Sequence, residues 1–177
     1  MPAVVSDSSP LVYLTRLGEF ELLHRLYESV LVPEAVWREV AVDGRGLPES
    51  DTLRAAVETG WIKVERPSGS WDEVGLPRGH LGPGEIEAML LARERGLPLI
   101  VDETEGREAA RRLGVQTTGT LGVLLRAKER GLIANVRPCV DRLRAETNFR
   151  ISRAVYDHIL SPCWRDRGRR MNKLATA

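Results

Sequence analysis

A chain of 177 residues, 42% hydrophobic and 29% charged, suits one globular domain with a proper core. No apolar run approaches the ~18 residues that cross a bilayer, the N-terminus lacks the basic-then-apolar layout of a signal peptide, and Cys139 and Cys163 lack metal-type spacing. The composition therefore excludes a membrane span and a zinc framework, and predicts a cytoplasmic protein with reduced thiols.

The net charge of +1 hides a split: residues 126–177 hold 13 basic and 5 acidic residues, a net of +8, and the preceding part holds 13 and 20, a net of −7. An acidic front and a basic back suit metal-dependent work on a polyanion; a merely solvated basic tail gives the same count.

In chain order, residues 3–6 read as a first strand, and Ser9-Pro10 as an N-cap with proline at the first helical position, opening a helix over 11–17. A second helix is predicted over 19–27, a buried strand over 30–32 and a helix over 34–42 after Pro33. The loop 43–46 leads to a helix at 51–58 and a strand at 61–64. The Gly-, Pro- and Ser-rich stretch 67–84 reads as a long surface connection. Helices at 85–95, 105–113 and 120–130, each closed near a glycine, alternate with strands at 99–101 and 115–117. Residues 138–160 read as helical with a break near Asn148. Residues 161–177 form a basic tail; 165–177 lack apolar periodicity and are expected to be disordered, with 172–177 resembling a vector remnant. Strands alternating with helices predict a mainly parallel sheet covered on both faces, in one domain over 1–160.

Four carboxylates stand where carboxylates are structurally awkward. Asp7 and Asp102 directly follow the apolar runs Ala3-Val4-Val5 and Leu99-Ile100-Val101. With Ser9 filling the cap position, Asp7 is left at the mouth of the first strand. Glu39 shares a helical side with Ala35 and Val36, and Glu85 opens a helix whose inner side carries Ala88, Met89 and Ala92. Glu85 also suits the helix dipole, and Glu87 competes with it. Glu103 and Glu105 follow Asp102 closely, and either Asp102 or Glu103 faces the site. In an open α/β sheet, ligands bind beyond the carboxyl ends of the strands. Acids gathered there repel one another unless a cation sits between them, and a hard divalent ion used in phosphodiester chemistry is the simplest candidate. His24, His80 and His158 show no zinc spacing, Ser8 and Ser9 lack a nucleophile elbow, and the glycines at 79–84 end without the Lys-Ser/Thr of a phosphate loop.

Five stretches in order carry a family likeness: Val4-Val5-Ser6-Asp7-Ser8-Ser9-Pro10-Leu11; Val32-Pro33-Glu34-Ala35-Val36-Trp37-Arg38-Glu39-Val40; Leu81-Gly82-Pro83-Gly84-Glu85-Ile86-Glu87-Ala88; Leu99-Ile100-Val101-Asp102-Glu103 with Gly106-Arg107; and Thr118-Gly119-Thr120-Leu121-Gly122-Val123-Leu124. Over roughly residues 3–160 the chain resembles the PIN-domain family, in its branch of small prokaryotic nucleic-acid-binding proteins. The resemblance implies a three-layer α/β/α sandwich around a parallel sheet. It implies a Mg²⁺- or Mn²⁺-dependent ribonuclease, in many members the toxin of a toxin–antitoxin pair and in many a homodimer. It matches Asp7 to the first-strand aspartate, Glu39 to the helix glutamate, Glu85 to a position usually held by Asp, and Asp102 or Glu103 to the last acid. Catalysis would rest on Asp7, Glu39, Glu85 and Asp102, with metal held by Asp7, Asp102, Glu85 and Glu103. Thr120 would sit near the pocket and orient a water. Arg107, Arg126, Arg150 and Arg153 are candidate contacts to RNA phosphates.

The rival reading is a PIN-like protein that binds nucleic acid or acts as a scaffold without turnover. A haloacid-dehalogenase-type phosphatase would need Asp where Ser9 stands, and a receiver domain would need a lysine on a late strand.

Overall fold

The computed structural model describes residues 3–160. One compact unit ends at Ile133 and a second begins at Ala134. The first holds five strands, β1 (Val4–Ser6), β2 (Val30–Pro33), β3 (Ile62–Glu65), β4 (Leu99–Ile100) and β5 (Thr117–Thr118), in the order β3-β2-β1-β4-β5. Every pairing is parallel, with Val5 opposite Leu31 on one side and Leu99 on the other. Between the strands run α1 (Ser8–Leu17), α2 (Glu21–Leu26), α3 (Glu34–Trp37), α4 (Pro48–Glu58), α5 (Pro83–Arg95) and α6 (Thr104–Arg112), and α7 (Thr120–Glu129) follows β5. The second unit carries α8 (Arg137–Glu146) and α9 (Arg153–Leu160), separated by a break that spans Asn148 as expected.

The layers follow from the two-residue period of the strands. Val5, Leu31, Leu99 and Val101 turn one way and pack with Ala88, Met89, Leu91 and Ala92 of α5 and Ala110 of α6. Val4, Val30, Val32 and Ile100 turn the other way and are fully buried on the face covered by α1, α2, α4 and α7. Strands buried on both faces read as unbroken apolar runs, which is why these short segments were legible. Each fully buried leucine, Leu91 for example, contributes about 1.5–3 kcal/mol.

Several element ends differ from the sequence reading. Helix α1 starts at Ser8, with Asp7 in the N-cap position at φ −76° and ψ 173° but making no side-chain capping bond. Ser9 and Pro10 therefore lie inside the first turn, where proline's missing N–H removes nothing from the helix. The helix expected over 34–42 changes pitch: α3 ends at Trp37, and Arg38–Asp43 are π-helical, with the Gly44 N–H reaching the Glu39 carbonyl at 3.1 Å. Helices α4 and α5 begin at their prolines, Pro48 and Pro83, earlier than expected. The last strand shifts to Thr117–Thr118. The connection 67–84 contains a 3₁₀ turn, Trp71–Val74, and the buried Trp71 donates its indole N–H to the Leu76 carbonyl at 3.0 Å. Cys163 and the basic tail lie outside the described residues. Among the described residues, no helix is long and apolar enough to cross a membrane.

Because β1 is central, the chain leaves it toward β2 on one side and returns in β4 on the other. The crevice at such a reversal of strand order lies beyond the carboxyl ends of the strands, where Asp7 and Asp102 stand.

Candidate active site

Asp7 is locked in place by the sheet: its backbone N–H donates to the Ile100 carbonyl at 3.0 Å, extending the β1–β4 ladder beyond β1. Its side chain is only 2% exposed, and Oδ1 is buried without a hydrogen-bond partner. Burial raises its pKa from 3.8 to about 7; the Ser8 amide opposes this, while Glu85, Glu39 and Asp102 add to it. An orphaned buried carboxylate oxygen is expensive unless something cationic meets it.

Four more acids, Glu39, Glu85, Glu103 and Glu105, line the same open pocket of about 670 Å³. Glu39 arrives from the π-helical segment, a distortion common at functional sites. A Cβ on Gly84 would stand 3.2 Å from Glu39 Oε2, 3.1 Å from Val36 Cγ2 and 3.6 Å from Asp7 Oδ1, so the absent side chain lets α5 approach both acids. Glu85 is the third residue of α5, and its Oε2 accepts the Gly82 N–H at 3.0 Å. Its Oε1 faces Gly106, where a Cβ would lie at 2.9 Å. Burial raises the pKa of Glu85; the Gly82 amide opposes this, while Glu103, Glu105 and Glu39 add to it. Glu103 Oε1 accepts the Ser9 hydroxyl at 3.4 Å.

Asp102 stands beside this pocket and outside its lining. Oδ1 accepts the Thr120 N–H at 2.9 Å and Oδ2 accepts the Thr120 hydroxyl at 2.6 Å, so Asp102 is tied to the first turn of α7. Arg107 lies 3.8 Å from Asp102 and donates to the Val101 carbonyl at 3.0 Å. Burial raises the pKa of Asp102, with Thr120 and Arg107 opposing. The structure thus brings Asp7, Glu39, Glu85 and Glu103 to one pocket, with Asp102, Thr120 and Arg107 as an adjoining cluster. Arg126 is engaged elsewhere, donating to the Tyr27 hydroxyl at 3.1 Å with its guanidinium over that ring. Arg150 and Arg153 belong to the second unit, where Arg153 pairs with Asp157 at 3.6 Å.

Sequence reasoning gave neither His80 nor Glu105 a place in the site, and both line the pocket. Glu105 Oε2 accepts the His80 N–H at 3.3 Å, which holds the Gly/Pro connection against α6. Nothing in the aperiodic stretch around His80 marks that contact.

The lining contains five carboxylates and His80 but no lysine or arginine, and the oxygen donors of the acids with an orphaned Asp7 Oδ1 fit a hard divalent cation. Among the described residues, no three Asp, Glu, His or Cys side chains converge into a complete ligand set.

A family model described as DUF3368, PIN domain, matches residues 3–163. The chain belongs to the PIN-domain family. PIN domains are generally nuclease folds and typically use divalent metals, and the five-stranded parallel sheet flanked by helices is the PIN architecture. Similar solved structures include a PilT N-terminus domain protein, SSO1118, from the archaeon Sulfolobus solfataricus P2, at 19% identity and a TM-score of 0.47 over 72% of this chain and 93% of that one. A domain of a functionally unknown protein from Methanocaldococcus jannaschii is similar at 18% identity and a TM-score of 0.47, over 67% and 91%. No curated protein matches this PIN domain.

Proposed function

We propose that this PIN domain is a metal-dependent ribonuclease that hydrolyses phosphodiester bonds in RNA. The observation that carries the reading is Asp7 Oδ1, buried and unpartnered in a pocket lined by Glu39, Glu85, Glu103 and Glu105 and by no lysine or arginine. Mg²⁺ or Mn²⁺ would be held by Asp7, Glu85 and Glu103, with Asp102 and Glu39 adjoining. Such an ion, when bound, lowers the pKa of water and offsets charge on a phosphoryl group. The chain's own residues hold the acids ready. Thr120 fixes both oxygens of Asp102, Ser9 orients Glu103, and Gly84 and Gly106 leave the room that the carboxylates occupy. The raised pKa of Asp7 keeps it substantially protonated at neutral pH, so metal uptake is accompanied by proton release.

Asp7→Asn is expected to abolish Mn²⁺-dependent cleavage of RNA while circular dichroism shows the fold retained. Undiminished cleavage by the variant rejects the assignment. The same reading extends to the toxin of a toxin–antitoxin pair, acting in the cytoplasm as a homodimer. Induced expression should then arrest growth, and both Asp7→Asn and a co-encoded antitoxin should relieve it.

One observation favours the rival, a PIN domain that binds RNA without turnover: both oxygens of Asp102 are already taken by Thr120. On that reading RNA binding needs no Mn²⁺ and no cleavage appears at any Mn²⁺ concentration.

A further inference from the structure

The acidic pocket poses a problem for its own substrate. RNA brings phosphates, and the lining offers them no lysine or arginine. The nearest guanidinium to Asp102, that of Arg107, is held by the Val101 carbonyl and Asp102. Arg126 is engaged with Tyr27. The phosphates next to the cleaved bond therefore need cations from another part of the surface.

A second cleft, of about 480 Å³, adjoins the acidic pocket, and Pro83 lines both. Its walls carry Arg66 and Arg78, whose side chains are 78% and 61% exposed. Arg66 makes only a 3.7 Å pair with Glu34, and Arg78 a 3.3 Å pair with Asp72. Exposed single pairs of this kind are weak, so a phosphate can displace either carboxylate and gain a charge-assisted contact. The acid in the lining of the cleft, Glu87, accepts the Ala35 N–H at 2.8 Å.

The backbone that carries these arginines is pinned. Glu94 accepts the Ser68 and Gly69 N–H groups at 2.7–3.0 Å, just after Arg66. The Trp71 indole closes on Leu76, and the Leu81 N–H returns to the Arg78 carbonyl at 3.0 Å. Two guanidiniums on a hydrogen-bonded strap, beside a cleft that shares Pro83 with the acidic pocket, form a track for a polyanion.

We propose that the cleft lined by Arg66 and Arg78 binds the phosphates of single-stranded RNA flanking the bond held at the acidic pocket. This rests on the ribonuclease reading and names the path that its substrate takes. The two arginines contact about two phosphates, each worth ~0.7 in the slope of log K against log salt for a single strand.

The test uses the full chain with Arg66→Ala/Arg78→Ala and Arg66→Lys/Arg78→Lys, with Ca²⁺ replacing Mn²⁺ so that a fluorescent RNA oligonucleotide stays intact. Anisotropy titrations across a salt series should show the alanine variant losing ~1.4 from the slope and about tenfold in affinity at moderate salt. The lysine variant should keep the slope. Hydrolysis of bis(p-nitrophenyl) phosphate with Mn²⁺ should be unchanged in both variants, because that ester offers no flanking phosphates. A wild type that binds and cleaves RNA, with an unchanged slope in the alanine variant, overturns the cleft and leaves the ribonuclease standing. Equal losses on the small ester overturn it too, by showing damage to the acidic pocket. A wild type that neither binds nor cleaves RNA rejects the ribonuclease reading and the cleft with it.

Discussion

Replacing Asp7 with asparagine should stabilise the metal-free protein while destroying its activity. In the folded chain the Asp7 pKa is raised, chiefly by burial, from 3.8 to about 7. Between those values the unfolded chain has released the proton and the folded chain has not, so stability falls as pH rises, and the loss is complete above about pH 7. At ~1.4 kcal/mol for each pH unit, the full penalty approaches about 4 kcal/mol at pH 8 and about 2 kcal/mol at pH 5. Asparagine keeps the shape and carries no charge, so the variant avoids this penalty. In a protein of this size each kcal/mol moves Tm by ~2–4 °C, and the variant should melt about 10 °C higher at pH 8 in EDTA. The advantage should roughly halve at pH 5. Saturating Mn²⁺ should raise the wild type alone, because only a ligand that binds the folded state stabilises it. Thermal melts of both proteins at the two pH values, with EDTA or Mn²⁺, supply the full comparison. A variant that melts lower than wild type at pH 8 in EDTA, or by the same margin at both pH values, refutes the reasoning.

Thr120→Ala removes the 2.6 Å hydroxyl contact to the partly buried Asp102 and should cost about 1–3 kcal/mol in urea unfolding, with Thr120→Ser recovering most of it. Gly84→Ala places a methyl 3.2 Å from Glu39 Oε2 and 3.1 Å from Val36 Cγ2, so Mn²⁺ affinity by calorimetry should fall about tenfold (~1.4 kcal/mol) with the fold intact. Unchanged affinity would separate Glu39 from the metal. For the buried Glu49, burial pushes the pKa up, but the Arg16 guanidinium at 2.6 Å and the residue's own amide outweigh it and hold the carboxyl below 4.5. The stabilisation is present above pH 4.5 and is lost as pH falls through the lowered value. Arg16→Ala should therefore move the acid-unfolding midpoint, followed by circular dichroism, to higher pH.

Most of the sheet was legible because its strands are apolar on both faces and its helices close at glycines. The first acid was legible for the same reason, since Asp7 interrupts such a run. Its cap position was misread: Ser9-Pro10 has the stronger local signature, but the Asp7 N–H is claimed by Ile100, and the helix starts one residue later. The π-helical turns that deliver Glu39 leave no residue pattern, because only the hydrogen-bond register changes. The placement of Asp102 and Glu103 depends on Thr120 and Ser9, each far away in sequence. Arg126 looked available for the same reason: its partner Tyr27 stands just past the end of α2, far away in sequence. Long-range side-chain pairing decided each of these, and propensity and periodicity carry no record of it.

The two outer strands bear on self-association. Strand β5 exposes a ladder of only two residues, Thr117–Thr118, and β3 sets the solvated Lys63 beside Glu65 along its free side. Short or charged margins of this kind resist extension of a sheet from one molecule into the next. Two copies that associate would therefore meet helix against helix, leaving ten-residue strand-like peptides poor competitors for the contact.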